Sequence, residues 1–123
     1  MRLIFKIVLF IFIALPLTTE ASDNYTAWLD TETDNSLLKI QGKFINKTTE
    51  AMNVTYKLTT ERTGKSGTSA TTQSGEHTAE PGDTLSLSRV SVNITPDDCY
   101  TLTLEVFSND ELIAEDRISH CKE

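Results

Sequence analysis

The chain reads as all-β, an immunoglobulin-like sandwich of about seven antiparallel strands in one domain. Three observations predict this. Apolar residues alternate with polar ones in short runs along the chain, the period of a strand with one buried face. Turn-forming clusters separate these runs at regular spacing, the pattern of a sandwich. Outside the N-terminal apolar segment, no stretch carries the period of a helix.

The N-terminus is set apart first. Arg2 and Lys6 precede a continuously apolar run from Ile7 to Leu15, closed by Pro16. Thr19-Glu20-Ala21 places small residues at the −3 and −1 positions of a signal-peptidase site. Residues 1–21 are therefore expected to be a cleaved signal peptide. The rival, an uncleaved anchor, would need a longer apolar run, about 20 residues. The mature domain is then residues 22–123, enough for one modest core.

The strands follow in order. Tyr25 to Leu29 is the first, with Trp28, the single tryptophan, expected to anchor the core. Thr33-Asp34-Asn35-Ser36 is a turn. Leu38, Ile40, Gly42 and Phe44 alternate with polar residues and make the second strand, with a possible bulge at Gly42. Asn46-Lys47-Thr48-Thr49 reads as a loop, and Met52, Val54, Tyr56 and Leu58 mark the third strand. From Arg62 to Gly82 the period fades among Gly, Ser and Thr. This region reads either as a mobile binding loop or as a plain connection with a short edge strand around Thr68 to Gln73.

Leu85 and Leu87 open the next strand, which continues through Val90, Val92 and Ile94. The apolar positions switch from odd to even at Ser88-Arg89, the mark of a bulge. Thr95-Pro96-Asp97-Asp98 breaks the strand. Tyr100, Leu102, Leu104 and Val106 form the sixth strand, and Asp98 with Tyr100 resembles a tyrosine corner. Ser108-Asn109-Asp110-Glu111 is a hairpin turn, and Leu112 to Ile118 returns. Folding about Asn109 and Asp110 brings Cys99 opposite residue 120 or 121. Cys99 and Cys121 are therefore expected to form a disulfide, which export permits. The alternative is two unrelated thiols.

Composition narrows the function. With 11 basic and 18 acidic side chains the net charge is −7, and losing Arg2, Lys6 and Glu20 leaves about −8. Nucleic acid and anionic membrane surfaces are poor partners for such a chain. His77 and His120 have no partners at metal-ligand spacing, no serine lies in a nucleophile elbow, and Gly64-Lys65-Ser66 lacks the upstream glycine of a phosphate loop. The expectation is a non-enzyme with no cofactor and no metal.

Residues 87–98, LSRVSVNITPDD, and residues 61–69, ERTGKSGTS, with the spacing between them, resemble the CsgC/CsgH family of curli-assembly proteins. The resemblance covers roughly Thr55 to Ile118. It implies an immunoglobulin-like sandwich, residence in the periplasm, and a chaperone-like role in curli biogenesis. That role is inhibition of premature amyloid polymerisation of the curlin subunit. Some members carry a Cys-x-Cys pair, whose positions here are Met52 and Val54, so a thiol-exchange mechanism is not implied. The four formal glycosylation sequons at Asn24, Asn46, Asn53 and Asn93 carry no meaning in the bacterium so implied. The expected partner is a major-curlin-like subunit met by a monomer. The candidate contacts are the basic and neighbouring positions Lys57, Thr59, Arg62, Lys65 and Arg89. The alternatives are a secreted immunoglobulin-like binding or adhesion module, and a thiol–disulfide oxidoreductase using Cys99 and Cys121.

Overall fold

The computed structural model describes residues 24–65 and 67–121. The expected signal peptide lies outside the described residues. Among the described residues seven strands follow one another: β1 (Tyr25–Asp34), β2 (Leu37–Asn46), β3 (Met52–Gly64), β4 (Gly67–Ala79), β5 (Thr84–Asn93), β6 (Cys99–Ser108) and β7 (Glu111–Cys121). They form a three-stranded sheet in the order β1-β2-β5 and a four-stranded sheet in the order β4-β3-β6-β7, with every pairing between strands antiparallel. The all-β sandwich read from the periodicity is the fold observed.

The core is the sum of the inward positions of both sheets. Leu38, Ile40 and Phe44 of β2 meet Val54, Leu58, Leu102, Leu104 and Val106 of β3 and β6, all nearly inaccessible to water. Gly42 stands where a side chain would crowd Leu104, since a Cβ there would sit 3.1 Å from its Cδ1, tighter than ordinary contact. The missing side chain is what lets Leu104 fill the middle of the sandwich.

Two bulges set the register. Gly42 pairs with Ser88 but Lys43 pairs with Ser86, so Leu87 is the extra residue of β5. Leu87 and Ser88 are both buried in consequence, which accounts for the switch in apolar parity. In the last hairpin Phe107 pairs with Leu112 but Val106 pairs with Ala114, so Ile113 is the extra residue of β7. That insertion moves the partner of Cys99 from position 120 to Cys121. The Cys99–Cys121 disulfide joins them, with a Cα separation of 4.2 Å, close to that of a non-hydrogen-bonded antiparallel pair.

One expectation changes, and one open alternative is decided. Trp28 does not anchor the core. Ala27 and Leu29 point inward, while Trp28, half-buried, lies on the outer face of β1 opposite Lys43. Strand alternation allows only one of the two parities inside, and the smaller residues occupy it. Of the two readings of the Gly/Ser/Thr-rich region, the edge strand is the one observed, and it runs well beyond Thr68 to Gln73. β3 continues to Gly64 and pairs with β4 in unbroken register from Met52↔Ala79 to Gly64↔Gly67. Its alternation was hidden because Ser69, Thr71 and Gln73 occupy the inward parity without being covered.

Asn46 begins a loop, as read, but is fully buried. Its amide donates to the carbonyls of Glu50 (2.8 Å) and Ala79 (3.1 Å), and its oxygen accepts from the Thr48 backbone N–H (2.9 Å). With both donors used inside the protein, this sequon is structural.

Replacing Cys99 and Cys121 together by Ser is expected to lower unfolding stability by about 3 kcal/mol, read from urea midpoints. An unchanged midpoint would show that the last hairpin holds its ends without the crosslink.

Candidate protein-binding face

The turn before β6 carries the best-defined polar cluster. Pro96 and Asp97 occupy the middle of a β-turn closed by the Asp98 N–H donating to the Thr95 carbonyl at 3.0 Å. The Asp98 side chain folds back and is only 2 % exposed. It accepts from the Thr95 backbone N–H (2.9 Å), the Thr95 hydroxyl (3.0 Å) and the Arg62 guanidinium (3.2 Å). The Thr95 N–H bond is the main reason its carboxyl is held below the usual range. The Thr95 hydroxyl and Arg62 add to this, and burial works against it. Gly64 completes the cluster, since any Cβ there would overlap Asp98 Oδ1. Arg62 and Asp98 thus tie the far end of β3 to the start of β6.

Tyr100 is half-buried and stacks on His120 at 5.2 Å between ring centroids. The tyrosine-corner resemblance therefore resolves into an aspartate-centred turn, with Tyr100 packed across the β6–β7 pair. Thr95 followed three residues later by Asp98 is the sequence signal for such a turn. The Arg62 partner had no local signal, being 36 residues away.

The five candidate contact residues fall in four places. Lys57 and Thr59 lie side by side in parity on the outer face of the four-stranded sheet. Lys57 sits between Ser74 and Glu105, and Thr59 between Thr72 and Thr103. Arg62 has the opposite parity and is held by Asp98. Lys65 stands at the end of β3, 3.9 Å from Asp97 in a largely exposed pair. Arg89 is on the outer face of the other sheet, paired in register with Gln41. Only Lys57 and Thr59 share a surface.

That surface is broad and polar. Threonines from β3 and β6 make its centre, Lys57, Glu105, Glu115 and Arg117 supply charge, and Phe107 with the 43 %-exposed Leu112 forms an apolar spot at one end. The disulfide closes the other end beside Thr63. Among the described residues no group of three or more His, Cys, Asp or Glu is placed to hold a metal ion, and no helix is long and apolar enough to cross a membrane. This face offers hydroxyls and scattered charges for hydrogen bonding rather than a chemical centre.

Immunoglobulin-like β-sandwiches form a broad structural class. Within it this chain belongs to the CsgH protein family, whose model matches residues 26–117. The curli protein CsgC of E. coli has the same fold, with a TM-score of 0.65 at 20% identity over 76% of this chain and 96% of that one. R. palustris CsgH is similar at 0.58 and 20% identity, over 74% of this chain and 89% of its own. A domain of a Bacteroides uniformis β-glucuronidase, 14% of that chain, also superposes at 0.58 with 15% identity, a likeness of fold. No curated protein sequence matches.

Two outcomes test the cluster. Asp98 has a depressed folded pKa, so its contribution is present above the unfolded value, about 3.9, and is lost as pH falls through the folded value. The urea midpoint of the wild type is expected to fall more steeply between pH 5 and pH 2 than that of Asp98→Asn. Equal slopes would remove Asp98 from the acid transition. Gly64→Ala is expected to cost on the order of 1–3 kcal/mol, and an unchanged melting temperature would contradict the close approach.

Proposed function

We propose that this protein is a periplasmic curli-biogenesis factor that delays amyloid polymerisation of a curlin subunit without catalysis or a cofactor. The observation that carries this reading is membership of the CsgH family across residues 26–117. The fold shared with the curli protein CsgC of E. coli agrees with it. Amyloid grows by adding strands to exposed edges. A small, acidic sandwich that docks on a nascent edge or oligomer stops growth there and stays soluble itself.

The surface chemistry supports this mode of action. Contact through the outer face of the four-stranded sheet offers hydroxyl groups and scattered charges, with little apolar area. Such a contact is weak per residue and reversible, as a factor acting before secretion requires. The disulfide at the rim of that face keeps β6 and β7 aligned in an oxidising compartment. The expected N-terminal signal peptide would deliver the chain there.

Added at one part in ten to a polymerising curlin subunit, the domain comprising residues 22–123 is expected to lengthen the lag of thioflavin fluorescence several-fold. Action at that ratio means action on nuclei or growing ends. An unchanged curve with a folded domain would overturn the reading.

A further inference from the structure

Among the described residues the sandwich has four strand edges without a paired neighbour, and they are not treated alike. β1 carries Asp30, Glu32 and Asp34, and its Leu29 N–H donates to Asp116 Oδ2 at 2.9 Å, a bond reaching across to β7. β7 carries Glu111, Glu115, Asp116 and Arg117. β5 is broken by the bulge at Leu87 and bears Arg89. These are the ordinary guards against unwanted strand pairing: charge, a bulge, or a side chain spent on the free amide.

β4 has none of them over most of its length. Gly67 to Gly75 reads GTSATTQSG, with no charge and no proline. Its register with β3 is regular throughout, so no bulge twists the edge away. Residues Gly67 to Ser74 are exposed on both faces, and among the described residues no strand pairs with the other side of β4. Alternate residues of an edge strand direct their N–H and C=O outward. Nine residues of this edge span about 30 Å of free main-chain donors and acceptors.

We propose that the Gly67–Gly75 edge of β4 is a strand-addition site that takes an extended, uncharged, polar segment of the partner polypeptide. Main-chain hydrogen bonds supply the affinity. The occupant's chemistry follows from the side chains on either face. Thr68, Thr72 and Ser74 on one and Ser69, Thr71 and Gln73 on the other offer hydroxyls and an amide but no apolar pocket. An apolar strand would leave its side chains in water there. A strand of Ser, Thr, Asn, Gln and Gly would form like-to-like cross-strand pairs. A second copy of this chain is disfavoured by a net charge of −7 on each. The proposal rests on the curli reading for the partner's identity, but not for the site.

Hydrogen–deuterium exchange on the mature protein tests it, using as probe a ten-residue uncharged peptide of Ser, Thr, Gln, Asn and Gly, and separately a purified curlin subunit. Exchange of the 67–75 amides is expected to slow on adding either probe. The A70K/T72K variant, which guards the edge with charge, is expected to weaken binding about tenfold or more. S91K, the same charge on the outer face of the three-stranded sheet where Ser91 is exposed opposite Lys39, is expected to change it less than about twofold. Urea midpoints of both variants establish that they fold. If neither probe slows β4 exchange in the wild type, the edge assignment is overturned, even where curlin polymerisation is delayed and the curli reading stands. Slowed β4 exchange with no delay of polymerisation supports the edge and overturns the curli reading. Protection of β4 in the protein alone, rising with concentration alongside a doubled mass, overturns the proposal in favour of a second copy.

Discussion

The carboxylate of Asp98 is the tie on which the four-stranded sheet depends. It lies at the one point where the sixth strand begins, where the third is nearing its end, and where the chain turns back from the other sheet. By accepting from Thr95 it fixes the turn that delivers Cys99 into register. By accepting from Arg62 it holds the distal part of β3 against β6. An ionised group so deeply placed is tolerated because several donors meet it, two from the turn itself. Gly64 is the counterpart in backbone space, since only its lack of a Cβ leaves room for that carboxylate. The disulfide one residue further on pins the same corner covalently.

From this corner the unequal widths of the two sheets acquire a consequence. Three strands cannot cover four, so the core is dense under β2, β3 and β6 and thins towards β4. Near its C-terminal end β4 is still part of the fold. Ala79 is buried, and Tyr56 lies over Gly75, where a Cβ would come within 2.8 Å of the ring. Beyond Gly75 towards Gly67, β4 is exposed on both faces and β3 is the one strand it pairs with among the described residues. A regular, uncharged and uncovered edge is the costliest kind to leave open, and the other three edges of this molecule are guarded. That contrast, on a chain of the CsgH family, is why β4 is read as the working edge.

Much of the fold was legible because strand alternation survives wherever one face is buried. The parity switch at Ser88, the turn at Asn109–Asp110, both of which adopt positive φ, and the near-opposition of Cys99 and Cys121 could all be read directly. The remaining one-residue uncertainty in the disulfide register was the Ile113 bulge, which periodicity does not reveal when the extra residue is itself apolar. Three features resisted. Trp28 was assigned inward on size, whereas its neighbours Ala27 and Leu29 fix the parity. β4 lost its signature because neither face is covered, and an all-polar strand looks like a loop. Arg62 was read as a free surface cation because its partner is distant in sequence. The five candidate contact residues were chosen on charge and neighbourhood, which do not fix a common face. Lys57 and Thr59 share a face, while Arg62 is committed to Asp98 and Arg89 stands on the opposite sheet.

Partner recognition is proposed for the four-stranded sheet, and the outer surface of the three-stranded sheet has no part in it. The most direct measurement is a titration of isotopically labelled protein with a soluble curlin subunit, followed by amide chemical shifts. The predicted result is movement concentrated in β4 from Gly67 to Gly75 and in the adjoining Lys57 and Thr59. Movement centred instead on Trp28, Gln41 and Arg89 would contradict it and put the binding face on the other side of the sandwich.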